Sequence, residues 1–255
     1  MPDEPLSYTD AMNTDRPAPS DMNAPAPRKQ KRQRRPKPPA PPRRPEETID
    51  SAWRLFIAVP LAPDVVTFVD RTIRSLGKEN WPVKWTPPGN AHLTLHFLGD
   101  VAPERADLLR LALREPIAQH QRFDLRTADL GAFPTIRRPK VLWLGLYGPT
   151  HRLDSLRESI GNTLVELEYE LEDRAFTPHI TLGRVRPAPP AQQRDLPQRI
   201  RARFERAAET GEVSSKMPVP FPIDEVLLIR SHLSAAGARY EVLETYPLHQ
   251  AEPRS

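Results

Sequence analysis

The chain has 255 residues, and its 37 Lys and Arg exceed its 33 Asp and Glu by a formal net charge of +4. This length suggests one large domain or two small ones. Cysteine is absent, which excludes disulfides, thiolate nucleophiles, and zinc or iron–sulfur sites with cysteine ligands. The longest apolar stretch, residues 55–61, is far shorter than the roughly 20 residues that cross a bilayer. We therefore expect a cytoplasmic protein without a membrane segment.

Residues 1–52 differ in composition from the rest of the chain. Twelve of the 32 prolines precede Glu46, and nine of the 17 residues in 28–44 are Lys or Arg. Such a segment buries too little apolar surface to offset the entropy lost on ordering, which predicts a disordered, basic, proline-rich tail. Eight acidic residues in the tail offset most of its charge. Its function therefore stays open between a solubilising leader and an arm that attracts RNA phosphates.

Residues 53–249 alternate between short β-rich runs and amphipathic segments, which is typical of a mixed α/β domain, and residues 250–255 form a short C-terminal tail. In 63–76, apolar side chains recur at three- and four-residue steps, and Pro63 suits the first helical position. The pattern predicts strands at 54–61, 91–101, 123–133, 141–147, 179–185, 223–229 and 239–248, and helices at 63–76, 104–118 with a break at Pro116, 151–171 and 196–210. This order is too irregular for a doubly wound repeat.

Two stretches resemble each other: AHLTL at 91–95 and PHITL at 178–182, in which the histidines are 87 residues apart. A repeat at about half the length of the domain implies two similar lobes around a shared cleft. Because residues i and i+2 of a strand share a face, His92 and Thr94 project together. His179 and Thr181 do the same in the second copy. The leucines and isoleucine between them then point into a core.

This set of side chains suits the hydrolysis of a phosphodiester. One imidazole can take a proton from the attacking water while the other protonates the departing oxygen, since both titrate near neutrality. The two threonine hydroxyls can donate to the phosphate oxygens on which charge accumulates. The alternative is that both histidines are core residues held by backbone carbonyls. Two copies with the same apolar alternation favour the catalytic interpretation.

The chain resembles the two-histidine (2H) phosphoesterase superfamily, and within it the RNA 2′,3′-cyclic phosphodiesterases, also called 2′-5′ RNA ligases. The resemblance covers residues 53–248 and excludes the N-terminal tail. It is carried by five segments in order: RLFIAVPL at 54–61, HLTLHFLGDV at 92–101, GAFPTIRRPKVLWLGL at 131–146, FTPHITLGRV at 176–185, and SHLSAAGARYEVLETYPL at 231–248.

The resemblance implies a bilobal α+β fold with an antiparallel sheet in each lobe around a central cleft. It also implies metal-independent opening of RNA 2′,3′-cyclic phosphates to 2′-phosphates, with 2′-5′ joining of RNA ends in reverse and no cofactor. By the same resemblance His92 is the proton donor and His179 the proton acceptor, and Thr94, Thr181 and Arg184 bind the substrate phosphate. We further expect a monomer whose partners are RNA ends or nucleotide cyclic phosphates.

Strict strand alternation raises a difficulty for Arg184, because it places Gly183 on the face of His179 instead. Arg184 reaches the cleft only if the strand bulges or ends there, and a glycine permits that. The same alternation predicts that His96 faces the cleft as a possible substrate contact, and that Phe97 is buried. Residues i and i+4 of a strand lie about 13 Å apart, so His92 and His96 cannot share one tetrahedral zinc ion.

The segment 133–140 is the best candidate for the rim of the cleft. Phe133 can stack on a nucleobase, and Arg138 and Lys140 either contact the RNA backbone or are ordinary solvated side chains. Two other functions stay open at this point. One is hydrolysis of a small cyclic phosphate, such as a nucleotide or an ADP-ribose derivative. The other is a non-catalytic RNA-binding module, although such a module has no need of a paired acid and base.

Overall fold

The computed structural model describes residues 52–234 and 237–249, and the predicted tails at 1–52 and 250–255 lie outside this range except for Ala52. The described part contains nine strands and six α-helices. The strands are β1 Trp53–Pro60, β2 Val83–Trp85, β3 His92–Val101, β4 Phe123–Thr135, β5 Arg138–Tyr147, β6 His179–Val185, β7 Pro220–Ile223, β8 Glu225–Ser234 and β9 Gly237–Pro247. The helices are α1 Pro63–Gly77, α2 Pro103–Ala112, α3 Arg114–Ala118, α4 Thr150–Glu166, α5 Pro190–Gln193 and α6 Leu196–Glu209.

All described strands belong to one sheet with the order β7-β4-β5-β6-β3-β1-β8-β9, and β2 pairs with β6 beside this path. Every pairing between named strands is antiparallel. The two strands that carry the repeated motif, β3 and β6, are neighbours in the middle of the sheet. They pair only at Leu93 and Ile180, the residues that follow the two motif histidines.

The pair Leu93 and Ile180 joins equivalent positions of the repeat, which are 87 residues apart like the histidines. The approximate twofold axis therefore passes between these two residues. One half of the sheet contains β3, β1, β8 and β9, and the other contains β6, β5, β4 and β7. The predicted α+β fold with an antiparallel sheet in each lobe is confirmed, and the two sheets are continuous through this one pair.

The two faces of the sheet differ in what covers them. The main hydrophobic core lies on one face, where apolar side chains of α1, α2, α3, α4 and α6 pack against the strands. Leu93, Leu95, Ile180 and Leu182 all point into this core. We call this side the helix face, and the opposite side, which carries the two His-x-Thr motifs, the motif face. The motif face holds a separate small cluster of Phe56, Ala58 and Ile229 with Leu227 and Tyr240.

Two helices follow a strand of one half of the sheet but pack with elements of the other half. Helix α1 follows β1 but packs beside α6, where Arg203 donates to Ser75 at 2.8 Å. Helix α6 in turn contacts β4 of the second half. Helix α4 follows β5 but contacts β3 and α3, and α3 contacts β9 of the first half.

Most predicted elements are present, and the differences have local causes. The helix predicted at 104–118 breaks at Leu113 and not at Pro116. A proline ring conflicts with the carbonyl four residues earlier, so α2 ends at Ala112 and Pro116 sits in the first turn of α3. Helix α4 ends at Glu166 and not at 171, because Glu168 adopts a left-handed conformation with φ of 63°.

The short strands β2 and β7 are absent from the prediction, because three or four residues are too few to reveal alternation. Helix α5, which has only four residues, is likewise absent from the prediction. No helix in the described part of the chain is long and apolar enough to cross a membrane.

We expect Gly183→Ala to lower the free energy of unfolding by about 1–3 kcal/mol, the usual cost of overpacking a core. A Cβ at Gly183 would lie 2.6 Å from a methyl of Val83 and 2.9 Å from the ring of Trp85, both on β2. Gly89→Ala is the control, since a Cβ there meets nothing within 4 Å. Urea unfolding of the two variants measures the difference, and equal stabilities would contradict this account of the packing between β2 and β6.

Candidate active site

The first motif histidine, His92, begins β3 and is held from three sides. Its Nδ1 lies 2.8 Å from the carbonyl of Asn90, two residues earlier in the chain. Its ring packs against Phe56 at 4.8 Å and against the edge of Tyr240 at 5.4 Å, measured between ring centres. Burial lowers the pKa of His92, the hydrogen bond to Asn90 opposes this, and the charge of His179 lowers the pKa further.

The second motif histidine, His179, begins β6 and repeats the same arrangement. Its Nδ1 lies 2.7 Å from the carbonyl of Thr177, again two residues earlier. Its ring packs against Phe133 at 4.8 Å and Trp143 at 6.3 Å. Burial lowers the pKa of His179, the hydrogen bond to Thr177 opposes this, and the charge of Arg184 lowers the pKa further.

These contacts fix the tautomer of both rings. A carbonyl oxygen only accepts, so each Nδ1 must carry the hydrogen and donate it. In the neutral ring, Nε2 then has a free lone pair that can accept a proton, and in the charged ring Nε2 can donate one. Because the charge of His179 acts on His92, the two rings are close enough to sense each other's protonation. The site thus presents two equivalent proton-transfer groups.

Each histidine is near the threonine of the other motif. Antiparallel pairing at Leu93 and Ile180 places His92 on the side of Thr181 and Thr94 on the side of His179. Both threonines are half-buried on the motif face. The structure therefore brings together the four residues that the repeat predicted.

A β-bulge brings Arg184 onto the motif face. In the pairing of β5 with β6, Leu142 lies opposite Gly183 and Trp143 lies opposite Thr181, so Leu182 has no partner. This extra residue reverses the alternation, and Arg184 is exposed on the same face as His179. The bulge that the sequence required is present. Gly183 contributes to it through close packing against β2, since its φ lies outside the left-handed region.

A second bulge lies at the equivalent place in the first motif, and it overturns two expectations. In the pairing of β1 with β3, Ala58 lies opposite Thr94 and Ile57 opposite His96, which leaves Leu95 without a partner. His96 therefore turns to the helix face, where it is 5% exposed and its Nε2 lies 2.9 Å from the carbonyl of Arg157. The expected contact of His96 with substrate is wrong. Phe97, expected to be buried, is 52% exposed on the motif face.

The twofold relation makes Phe97 the counterpart of Arg184, because each lies five residues after its motif histidine and directly beyond a bulge. Phe97 also begins an apolar row across four strands of the first half of the sheet. Phe56 lies opposite Phe97, Ile229 opposite Phe56, and Val242 opposite Ile229. Phe97 and Val242 are half-exposed at the two ends of this row.

Two cations stand side by side on the motif face. Lys84 of β2 lies opposite Arg184 of β6, which puts both side chains on the same face. Within residues 52–234 and 237–249, neither has a carboxylate partner within 4.0 Å. Directly opposed like charges destabilise a sheet unless an anion or a carboxylate compensates them. The pair is thus arranged for an anion near His179.

Tyr240 links Arg184 to the first half of the site. Burial raises the pKa of the Tyr240 hydroxyl, and the charges of Arg184 and Arg54 oppose this. Since the ring of Tyr240 also packs against His92, Arg184 is close to groups around both histidines.

The predicted rim residues lie in different places. Phe133 is at the site, in contact with the ring of His179. Arg138 and Lys140 are exposed near the tip of the β4–β5 hairpin, where Arg138 lies opposite Thr135. Lys140 is next to Val141, whose partner in β6 is Arg184. A contact of Arg138 or Lys140 with substrate stays a prediction.

Among the described residues, no group of three or more His, Asp or Glu side chains is placed to hold a metal ion. The bulge at Leu95 also separates His96 from His92, because the two rings lie on opposite faces of the sheet.

Sequence reasoning missed three residues of the site: Phe56, Lys84 and Tyr240. Phe56 and Lys84 lie on strands next to the motif strands, so only the register of the sheet brings them to the histidines. Tyr240 is on β9, two strands beyond β1 in the sheet. The alternation in β1 contained a signal for Phe56, since its neighbours Leu55 and Ile57 point into the main core.

Comparison with known proteins places this arrangement in a family. Residues 71–234 match the model of the 2′-5′ RNA ligase superfamily, which is more than half of the chain. The chain belongs to the 2′-5′ RNA ligase superfamily. The family expected from the motif segments is confirmed. The sequence relatives of the chain described next are named for one activity.

The RNA 2′,3′-cyclic phosphodiesterase of Methanothermobacter thermautotrophicus is 29% identical over 195 residues, which are 76% of this chain and 98% of that protein. The RNA 2′,3′-cyclic phosphodiesterase of Thermotoga maritima is 28% identical, over 74% of this chain and 92% of its own length. The crystal structure of TT0787 of Thermus thermophilus is 29% identical, with a TM-score of 0.57 over 76% of this chain and 97% of that one. E. coli LigT complexed with 3′-AMP, at 24% identity, has the same fold, with a TM-score of 0.57 over 78% of this chain and 99% of LigT.

We expect both motif histidines to titrate below the pKa of a free histidine, about 6.5. NMR titration of the Cε1 protons measures this directly. Arg184→Gln should raise the pKa of His179, because it removes a nearby positive charge, and should affect His92 less. An unchanged pKa of His179 in that variant would mean that Arg184 does not face the ring.

Proposed function

We propose that this superfamily member hydrolyses RNA 2′,3′-cyclic phosphate ends to 2′-phosphomonoesters, with His92 and His179 as the acid–base pair. The observation that carries the proposal is the equivalent setting of the two rings, each with Nδ1 held by a carbonyl and Nε2 free. The relatives that match most of the chain's length are named RNA 2′,3′-cyclic phosphodiesterases, which supports the same substrate class.

In the proposed reaction, Nε2 of His179 takes a proton from water as the water oxygen bonds to phosphorus. The bond between phosphorus and O3′ breaks, and protonated His92 gives its Nε2 proton to O3′. The products are a free 3′-hydroxyl and a 2′-phosphomonoester. Which ring is the acid follows the family resemblance, since their settings are alike. Ring opening by a 5′-hydroxyl of RNA in place of water breaks the same bond between phosphorus and O3′ and makes a 2′-5′ linkage with the same groups.

The lowered pKa of both rings gives the substrate a part in activating the site. Without substrate, both rings are mostly neutral at neutral pH, and neither can act as acid. A phosphate anion between them favours the charged form of a neighbouring imidazole. Binding of the substrate therefore lets one ring take up from solvent the proton that the acid must carry, while the second ring stays neutral because two neighbouring positive charges disfavour each other.

In this proposal the remaining polar groups hold the phosphate. The guanidinium of Arg184 can bind two phosphate oxygens at once, and Lys84 beside it adds a second positive charge. Thr94 and Thr181 can donate hydroxyl hydrogens from opposite sides of the cleft. These contacts strengthen as negative charge grows on the oxygens in the transition state, which is how they accelerate the reaction.

The base of the terminal nucleotide is proposed to stack on Phe97. The Phe97 ring is half-exposed and its centre lies 6.2 Å from that of Phe56. The Phe56 ring in turn packs against His92. Stacking accepts any base, because every base has a flat face. A cytoplasmic location and a monomeric state belong to the proposal as expectations from the sequence.

The direct test of the proposed activity incubates the protein, with EDTA present, with a 2′,3′-cyclic mononucleotide, a 2′,3′-cyclic-phosphate RNA oligomer and an ADP-ribose cyclic phosphate. Appearance of a 2′-phosphomonoester from the RNA supports the proposal. Turnover of the ADP-ribose derivative alone would assign a small-molecule substrate. Binding without any turnover would favour the non-catalytic module, and activity that EDTA abolishes and a metal restores would overturn the two-histidine mechanism.

We expect His92→Ala and His179→Ala each to lower kcat by roughly 10²–10⁴-fold, since each removes one proton-transfer group. The double variant should lose little more than either single one, because acid and base act as a unit. His151→Ala is the matched control, as this exposed histidine of α4 lies outside both motifs. Near-normal turnover by either motif variant, with circular dichroism showing an intact fold, would remove that histidine from the mechanism.

We expect Phe97→Ala to raise KM for a cyclic mononucleotide about tenfold with kcat little changed, as base stacking on an aromatic side chain contributes about 1–3 kcal/mol. Phe97→Leu keeps the apolar area without the flat ring, so it should recover only part of the affinity. Leu111→Ala, which alters another exposed apolar side chain on α2, is the control for surface changes. A wild-type KM in Phe97→Ala would place the base elsewhere.

A further inference from the structure

Arg157 lies on α4, behind the sheet, and has no part in the proton transfers. Its Nε donates to the carbonyl of Leu95 at 3.2 Å, and its own carbonyl accepts from Nε2 of His96 at 2.9 Å. Leu95 and His96 form the bulge in β3. One residue of α4 therefore holds both residues of the bulge that turns Phe97 onto the motif face.

The same guanidinium also reaches the segment before the second motif. Its Cζ lies 4.7 Å from the centre of the Phe176 ring, a distance at which a cation–π contact contributes roughly 0.5–2 kcal/mol. Phe176 precedes Thr177, whose carbonyl accepts the Nδ1 hydrogen of His179. Arg157 thus connects the bulge of the first motif strand to the chain that anchors the second histidine.

The bulge in β6 shows which backbone hydrogen bond the side chain of Arg157 replaces in β3. The unpaired residue of a bulge leaves backbone groups outside the ladder that need another partner. In β6, the carbonyl of Leu182 accepts from the backbone N–H of Thr86 at 2.8 Å, at the end of β2. Among the described strands, β2 pairs with β6 alone, and its equivalent beside β3 is absent. The side chain of Arg157 supplies to Leu95 the donor that Thr86 supplies to Leu182.

Helix α4 approaches the bulge closely because of a glycine one turn further on. A Cβ at Gly161 would lie 3.4 Å from Cε1 of His96 and 3.2 Å from Leu171. Glycine inside a helix costs about 0.5–1 kcal/mol relative to alanine. The packing of His96 against Gly161 gives this glycine a structural reason, and it brings Arg157 within reach of the bulge.

We propose that Arg157 is a positioning residue that fixes the geometry of the two histidines relative to each other from behind the sheet. The inference rests on the proposed function, because it concerns the rate of that reaction. Beyond the pair Leu93 and Ile180, the backbones of β3 and β6 are not directly paired, and Arg157 adds a connection through α4 between β3 and the segment before β6. A displacement of about 1 Å in such a site can lower the rate about 10²-fold.

The test compares Arg157→Met with Arg152→Met in the full chain. Arg152 is the matched control on the same helix: its Nη2 donates to the carbonyl of Gln121 at 3.3 Å, and its Cζ lies 5.0 Å from the Phe123 ring, but neither partner belongs to a motif strand. With a 2′,3′-cyclic mononucleotide, Arg157→Met should lose about tenfold or more in kcat at nearly unchanged KM, since no substrate contact is removed. Arg157→Lys should recover part of that loss, and Arg152→Met should keep the wild-type kcat.

A second measurement separates this inference from the proposed function. Absence of turnover by the wild-type protein would overturn the function, whereas the Cε1 proton resonances of His92 and His179 report the geometry of the site without substrate. Arg157→Met should shift the His179 resonance, and Arg152→Met should not. If Arg157→Met does not fold, Phe176→Leu removes only the stacking partner and should produce the same shift. Identical resonances and identical kcat in the Arg157 and Arg152 variants would overturn the proposal, as would a loss explained entirely by a smaller folded fraction.

Discussion

The architecture depends on one antiparallel pair, Leu93 with Ile180, at which the two halves of the sheet meet. Because these are equivalent residues, the pairing sets the approximate twofold axis and brings each histidine toward the threonine of the other motif. A single pair is a narrow connection between two sheets. The helices compensate for it, since α1 packs beside α6, which contacts β4 of the second half, and α4 contacts β3 of the first half.

How much of this could be predicted is clearest in the two motif strands. Alternation correctly placed His92, Thr94, His179 and Thr181 on one face, because the pattern of apolar residues around them is strict. It failed beyond Leu95, where a bulge reverses the alternation and sends His96 to the helix face. The sequence contains no separate signal for that bulge, as its donor Arg157 is 62 residues away. At Leu182 a bulge could be expected, because the family resemblance places Arg184 at the phosphate and the neighbouring Gly183 permits a bulge.

The residues around the histidines could not be predicted for a different reason. Phe56 and Trp143 reach the histidines across strand pairs, and Tyr240 lies two strands beyond Phe56, so their positions follow from register. Together these side chains form two apolar environments that exclude water from the imidazoles and lower the pKa of each ring. The negative charge of a bound phosphate then favours the uptake of a proton from solvent by one ring. Substrate binding and acid activation are therefore one event.

The carbonyl contacts at Nδ1 have a consequence for how such a site can evolve. Asn90 and Thr177 orient the rings through main-chain oxygen atoms, which every amino acid possesses. Many catalytic histidines instead depend on a particular carboxylate side chain, and loss of that side chain is visible as a substitution. Here the path of the main chain sets the position of the orienting carbonyl oxygen. Neutral drift at these two positions can proceed while the chemistry persists, and it is a change in loop length before either strand that would silence the enzyme.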